Sequence, residues 1–263
     1  MNSLFFFCQH NALSTKLRIL ILSLSEAIST EMRQEVENEV IAFYDQIANA
    51  YDGNMTQEGS NEQIRKEVAK RFTALVPKGT VLDFGGGTGL DLPWLTEAGF
   101  SVCFCEPSSG MREQAKKMAQ GLSSQTVLFW EDQKVNFETW SKRKPVEGGV
   151  EGILANFAVL NCIQELDLVM ENLALILKPG GHLVALVLDD RKKRASFSYL
   201  LRLMKSKLGR TTLQTRARHQ EHQHTAYVHS LKEIKRHSVP FFYLKSREFL
   251  GGYGFSLLHL VRR

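Results

Sequence analysis

With 263 residues and 43% hydrophobic content, the chain can bury one large core or a core with a small appendage, so a single enzyme-sized domain is the starting expectation. A net charge of +5, with 23% of residues charged, is too mild to imply a polyanionic partner. Four cysteines (Cys8, Cys103, Cys105, Cys162) lack CxxC spacing, and two lie in an apolar run; they read as reduced core thiols and point to a reducing, cytoplasmic compartment.

Residues 1–34 carry apolar runs, Leu4 to Cys8 and Ile19 to Leu22, that are far too short to span a bilayer. The stretch lacks the early charge and long apolar block of a secretory signal, and the arginine content of a transit peptide. It is expected to be a poorly ordered tail, or an extension upstream of a start at Met32. From Glu35, Val36, Val40, Phe43 and Ile47 recur at helical spacing, so the folded part is expected to begin there and its core to run over 35–190.

A second helix is expected over 61–75, then a buried strand at Thr80 to Phe84, a short helix ending at Gly99, and a strand at Ser101 to Glu106. A helix over 110–119, a strand near 126–130, a strand over 152–159, a helix over 166–177, a turn at Lys178 to Gly181 and a strand at His182 to Leu188 continue the alternation. Continuous rather than alternating apolar runs mark strands covered on both faces. The fold class is therefore α/β, a doubly wound and mostly parallel sheet, with residues 231–263 adding a helix and a hairpin around Gly251 and Gly252 that closes the sheet antiparallel. Between these parts, Arg191 to Arg218 holds ten basic residues and no acidic one, with Leu200, Leu201, Met204 and Leu208 at helical spacing. Residues 191–230 read as a basic insertion or lid containing an amphipathic helix.

The stretch "VLDFGGGTGL" (Val81 to Leu90) ends a strand in four glycines spread over five positions. Such a loop lies at the carboxyl edge of the sheet, where glycine leaves no Cβ to hold a ligand away and the next helix presents free N–H groups. A G-x-G-x-x-G dinucleotide fingerprint fails because Leu90 stands where the third glycine belongs, which disfavours a nicotinamide oxidoreductase. The pattern that fits is Asp83-x-Gly85-x-Gly87-x-Gly89 with Glu106 at the end of the next strand, placed to accept hydrogen bonds from two ribose hydroxyls.

These residues, with "FYDQIANAYD", "EPSSGMREQA", "GILANFAVLN" and "LALILKPGGHLVAL" in order, make the sequence similar to the class I S-adenosylmethionine-dependent methyltransferases from about Tyr44 to Leu188. The resemblance implies S-adenosyl-L-methionine as cofactor. It implies that Asp83 orients the glycine loop and the methionine amino group, that Gly85 and Gly87 lie against the cofactor, and that Glu106 holds the ribose. Met111 would pack on adenine and Asn156 would face the methionine end. Glu131 and Asp132 both stand where an adenine contact is expected, and Glu151 opens the fourth strand inside a glycine-rich departure from the family pattern.

Methyl transfer from a sulfonium asks the protein mainly for alignment and desolvation, so no fixed catalytic constellation is expected. Tyr44, Tyr51, Tyr227 and His229 are candidates to line the acceptor pocket, with a packing role as the plainer alternative. His219, His222, His224 and His229 are of a residue type that commonly ligates zinc, but no cysteine is near, and the tract reads as a mobile surface loop; no metal is expected. The partner is expected to be a small-molecule methyl acceptor, anionic if the basic segment is a lid over it. Peripheral membrane contact through 191–218 and a lipophilic acceptor such as a quinone precursor, or a non-catalytic partner subunit, are the alternatives; nucleic acid ranks last.

Overall fold

A computed structural model describes residues 31, 33–53, 55, 59–122, 127–188, 213–219, 222–250 and 254–263. They belong to two compact units, Met1–Val40 and Ile41–Arg263, so the compact domain begins at Ile41. In the first unit the described residues are helical. Of the expected tail over 1–34, residues 31, 33 and 34 are helical and the rest lie outside the described residues, as does the expected helix near 200–208.

In the second unit the order is α1 (41–53), α2 (Gly59–Leu75), β1 (Thr80–Phe84), α3 (Leu92–Glu97), β2 (Ser101–Cys105), α4 (Ser109–Ala119), β3 (Val127–Phe129), α5 (Asp132–Val135) and β4 (Val150–Ala155). Then follow α6 (Leu166–Ile176), β5 (Leu177–Leu188), β6 (Leu213–His219), β7 (His222–Val228), α7 (Leu231–Ser238), β8 (Phe242–Leu250) and β9 (Phe255–Arg262). Seven strands form one sheet in the order β3-β2-β1-β4-β5-β9-β8. The first five are parallel, and β9 and β8 add antiparallel, as the hairpin signal predicts. Order reverses between β1 and β4, which opens a crevice at the carboxyl ends of those strands.

Why the strands read as unbroken apolar runs is visible in the core. Successive side chains of a strand point to opposite faces. In β2, Val102 and Phe104 join Ile64, Val68 and Phe72 of α2 on one face, while Cys103 and Cys105 join Val169, Met170 and Leu173 of α6 on the other. Both faces are dry, so both positions must be apolar.

Three expectations are corrected. The fourth strand starts at Val150 and stops at Ala155 rather than running to 159, because the backbone reverses at Phe157 (φ 48°) and Ala158 (φ 68°). Lys178 to Gly181 is not a separate turn but the bulged start of β5, whose register shifts as Leu177 pairs with Val150 and His182 with Gly152. The histidine tract is not a loop: β6 and β7 form an antiparallel ribbon from Leu213↔Val228 to His219↔His222.

Candidate functional site

The loop after β1 is fixed by its neighbour strand: Gly85 and Gly86 donate their amide hydrogens to the Cys105 carbonyl at 2.7 and 3.2 Å. Its glycines serve different ends. A Cβ at Gly85 would meet Val159 Cγ1 at 2.5 Å, one at Gly86 would run into Phe104, and one at Gly89 would touch Leu92 and Ala115. Those three glycines permit packing. Gly87, at φ +59°, is the one whose added Cβ would meet nothing within 4 Å, so open space lies above it.

Glu106 sits just past β2 with its carboxylate shared between two loops. Oε2 accepts from Gly87 N at 3.0 Å and Oε1 from Ser108 N at 2.8 Å. A carboxylate has about four lone-pair sites, so capacity for two further donors remains. Burial pushes its pKa up to about 7, against the two amides and Arg112, which lower it. Asp83, 1% exposed at the end of β1, leaves Oδ2 without a hydrogen-bond partner. Burial first, and then the neighbouring Asp91, hold the Asp83 carboxyl well above the usual range. A buried acceptor left open costs stability, so it marks a place built for a donor.

Asn156 follows β4 and turns to Asp91: its Nδ2 donates to Asp91 Oδ2 at 2.9 Å, while its Oδ1 accepts the Phe157 amide at 3.0 Å. Asp91 Oδ1 also receives Trp94 Nε1 at 2.7 Å and the Arg65 guanidinium at 2.6 Å. Arg65, from α2, lies over the Phe157 ring at 4.6 Å. The left-handed backbone of Phe157 is costly for a bulky residue, and here it positions the ring beside Arg65 and Phe255.

Helix α1 packs on this loop cluster through two Tyr-Asp pairs seven residues apart. Asp45 Oδ1 accepts from Ser108 Oγ at 2.7 Å and Gly110 N at 2.8 Å, at the start of α4. Asp52 Oδ1 accepts from Thr88 Oγ1 of the glycine loop at 2.5 Å. Close approach requires Gly110, whose Cβ would lie 3.1 Å from Ala48 Cβ. Tyr44 and Tyr51 pack edge-on at 6.3 Å, and Tyr44 OH lies 3.7 Å from Cys162 Sγ. Burial raises both phenols well above their usual range and the Cys162 thiol to about 11. Met111 is sealed among Phe43, Ile47 and Ala48, with the two tyrosines beside it.

The remaining expected residues take structural partners. His229 Nε2 donates to the Leu160 and Ile163 carbonyls at 3.1 and 2.9 Å, and burial lowers its pKa. Tyr227 is buried, stacked on His229, and its carbonyl receives Asn161 Nδ2 at 2.6 Å. Asp132 is exposed and paired with Arg112, whose Nη1 holds the Glu106 and Pro107 carbonyls. Glu131 is exposed and begins α5. Glu151 accepts from Thr80 N at 2.8 Å and pairs with Lys178, at the opposite end of the strands from the crevice. His224 is buried against Phe43 and Tyr44, with ring centroids 4.6 and 5.4 Å apart, which corrects the surface-loop expectation. Among the described residues no three potential metal ligands cluster, and no helix is long and apolar enough to cross a membrane.

Sequence reasoning passed over Arg65, Asp91, Asp45, Asp52 and Thr88. The repeated Tyr-Asp was the one signal for Asp45 and Asp52; Arg65 and Asp91 gave none.

A glycine loop and an acid on adjacent strands, at a reversal of strand order, define a nucleotide-binding α/β domain. The family model of a methyltransferase domain matches residues 56–237, and the chain belongs to that family. An alignment of 158 positions that covers 54% of the chain is 30% identical to part of the hybrid PKS-NRPS synthetase mpsA of Macrophomina phaseolina (strain MS6). The chain spans 3% of that curated relative's length. Among solved structures, the DhpI-SAM-HEP complex is similar at TM-score 0.62 and 16% identity, over 87% of this chain and 98% of that one. The CcbJ methyltransferase from Streptomyces caelestis is similar at TM-score 0.60 and 18% identity, over 84% and 97%. At such identities the likeness is one of fold.

Proposed function

We propose that this chain transfers the methyl group of S-adenosylmethionine to a small-molecule acceptor. The observation that carries the reading is the buried, unpartnered Oδ2 of Asp83, which reaches under the glycine loop at Gly86, together with the open space over Gly87. The residues present fit this cofactor: Asp83 offers an acceptor for an ammonium group, Glu106 retains acceptor capacity for two hydroxyls, and Gly87 leaves room for both. Support also comes from the family match and from the similar DhpI structure, which is a complex with SAM. When bound, the cofactor supplies a methyl group on a positively charged sulfur, an already activated leaving group.

What the chain adds is alignment and exclusion of water. Glu106 and Asp83 offer acceptor oxygens at two fixed points, and Asn156 acts through Asp91 rather than directly. Helix α1, latched by Asp45 and Asp52, keeps solvent from the loops. Tyr44, Tyr51 and Cys162 stay protonated at neutral pH, and His229 spends its Nε2 hydrogen on carbonyls. None of them is a ready anionic base, so the acceptor brings a nucleophile that is already competent at neutral pH. The test is incubation of the purified chain with methyl-labelled S-adenosylmethionine and a metabolite extract. Label in a small-molecule product supports the reading; calorimetry showing no binding of S-adenosylmethionine or S-adenosylhomocysteine would overturn it.

A further inference from the structure

At the end of the sheet away from the crevice, α7 gives way to β8. Phe242 pairs with Arg262 there, and the Arg262 guanidinium donates to the Leu177 carbonyl at the start of β5. The chain leaves α7 through Val239 and Pro240, and the Arg263 amide donates to the Phe241 carbonyl at 3.0 Å, which brings Arg263 against that turn. Of the four large hydrophobic side chains exposed among the described residues, Val239 (47%) and Tyr243 (49%) stand at this corner.

Around them Lys235, Arg236, Lys245 and Arg263 are exposed. The Arg263 guanidinium lies 4.2 Å and the Lys245 ammonium 5.3 Å from the centre of the Tyr243 ring, whose electron-rich faces hold the two like charges near each other. Among the described residues none of these four cations has an ion-pair partner. The acids nearest in sequence are engaged elsewhere, Glu233 in the cap of α7 and Glu248 with Arg71 of α2. Helix polarity accounts for part of the charge, since Lys235 and Arg236 suit the negative end of α7. It does not account for two half-exposed apolar side chains inside the same ring of cations. Apolar surface rimmed by basic residues is the pattern of an interfacial contact.

We infer that this corner docks on an anionic lipid surface, with Val239 and Pro240 entering the headgroup layer, Tyr243 at its boundary and the four cations facing the lipid phosphates and carboxylates. Tyrosine suits that boundary because one end is apolar and the other polar. A nucleic acid would answer the charge, but it would give Val239 and Pro240 nothing apolar to meet, and the Tyr243 ring is engaged by two cations rather than open to a base. Contact here leaves the crevice, at the other end of the strands, open to water, so the inference stands apart from the cofactor reading.

The full chain is sedimented with vesicles of phosphatidylcholine alone and of phosphatidylcholine with about one third phosphatidylserine, in salt of about 0.1 M and 1 M. Wild type should bind the anionic vesicles and not the neutral ones, and less in high salt, where the Debye length falls from about 10 to 3 Å. Each basic residue at such a surface contributes about fivefold in partitioning, so Lys245→Gln with Arg263→Gln should lose on the order of twentyfold. Val239→Ser with Tyr243→Ser should also weaken binding, by a similar factor in low and high salt, because apolar contact is not screened. All four side chains are exposed, so circular-dichroism melts of both variants should stay close to wild type. Equal binding to both vesicle types, binding to neither, or binding that both variants retain in full, as it would if the basic run at 191–218 carried it, would overturn the inference. A wild type that ignores the vesicles but holds a single-stranded RNA oligonucleotide through Lys245 and Arg263 would make the corner a nucleic-acid contact and overturn it as well.

Discussion

Gly87 donates its amide hydrogen to Glu106 Oε2 over 3.0 Å, so the glycine loop after β1 and the acid after β2 are one electrostatic unit. Glu106 titrates near neutrality because burial raises its pKa to about 7, with Asp45 adding to the rise and the Ser108 and Gly87 amides and Arg112 opposing it. The ionised form is the one that accepts two hydroxyls. Cofactor affinity should therefore fall as pH drops below about 7, by roughly tenfold per unit for one linked proton. For the ligand-free protein the sign is opposite. A folded pKa above the ordinary 4.5 means that ionising Glu106 disfavours the folded state, so this group's contribution improves as pH falls from about 7 toward 4.5. Calorimetry at pH 6, 7 and 8 checks the first statement, and Glu106→Gln should remove the slope while weakening binding. A flat profile in wild type would show that Glu106 is not the ribose acceptor.

Gly85 and Gly87 both have left-handed backbones, at φ +68° and +59°, yet replacing them should have separable effects. Either alanine incurs strain of about 1–2 kcal/mol. At Gly85 the methyl also strikes the half-buried Val159, a clash that should raise the loss to about 3 kcal/mol. At Gly87 no protein atom is struck, so Gly87→Ala should melt only a few degrees early but lose the thermal shift that S-adenosylhomocysteine gives wild type. Paired melts with and without ligand decide the matter: a Gly87→Ala variant that is stabilised like wild type leaves Gly87 a turn residue only.

Much of this arrangement was legible in the sequence because its parts are local. The runs at 80–84 and 101–105 announce strands buried on both faces, and the glycines and acids at their ends do their work through the adjacent backbone. Where sequence reading failed, a distant partner decides. Apolar residues continue past Ala155 into Leu160, so only the reversal at Phe157 and Ala158, capped by Ala158 N donating to Leu186 O, reveals the strand's end. Lys178 to Gly181 carries turn chemistry, but its pairing with β4 makes it a bulge. His224 lies in a polar tract, and its burial comes from Phe43 and Tyr44, far away in the chain. Arg65 looks like any helical arginine until α2 places it against Asp91.

Helix α1 is held at two ends of the loop cluster, by Asp45 on the start of α4 and by Asp52 on Thr88. Asp45→Ala and Asp52→Ala should each cost about 1 kcal/mol, the net worth of such hydrogen bonds. Their main effect should be kinetic: cofactor release quickens roughly fivefold, because that energy is lost from the closed form alone. Hydrogen exchange of the amides in 41–53 should accelerate in both variants while β1 and β2 stay protected. If exchange in 41–53 is unchanged, the two carboxylates are not latches.

His182 and His259 lie stacked across β5 and β9, with Nδ1 of the first 2.9 Å from Nε2 of the second. One ring donates and the other accepts, so the pair holds a single hydrogen between two nitrogens, and a proton on the accepting nitrogen would break the bond and set a cation against the neighbouring ring. Burial lowers both pKa values from the ordinary 6.5, and for His259 the His182 ring and Lys245 of β8 lower it further. With folded values depressed, the pair's contribution is fully present above about 6.5 and is lost as pH falls through the folded values, because the unfolded chain takes up protons first. Loss of one hydrogen bond of about 1 kcal/mol corresponds to a fall of about 2–4 °C in the melting temperature for a domain of this size. Thermal melts of ligand-free protein from pH 8 to pH 5 should therefore show a decline beginning near 6.5 in wild type. Glu106 works in the other direction over part of this range, so the comparison that counts is with His182→Gln, where the histidine-linked part of the decline should shrink. Equal slopes for wild type and His182→Gln would mean that the stacked pair carries no proton-linked stability.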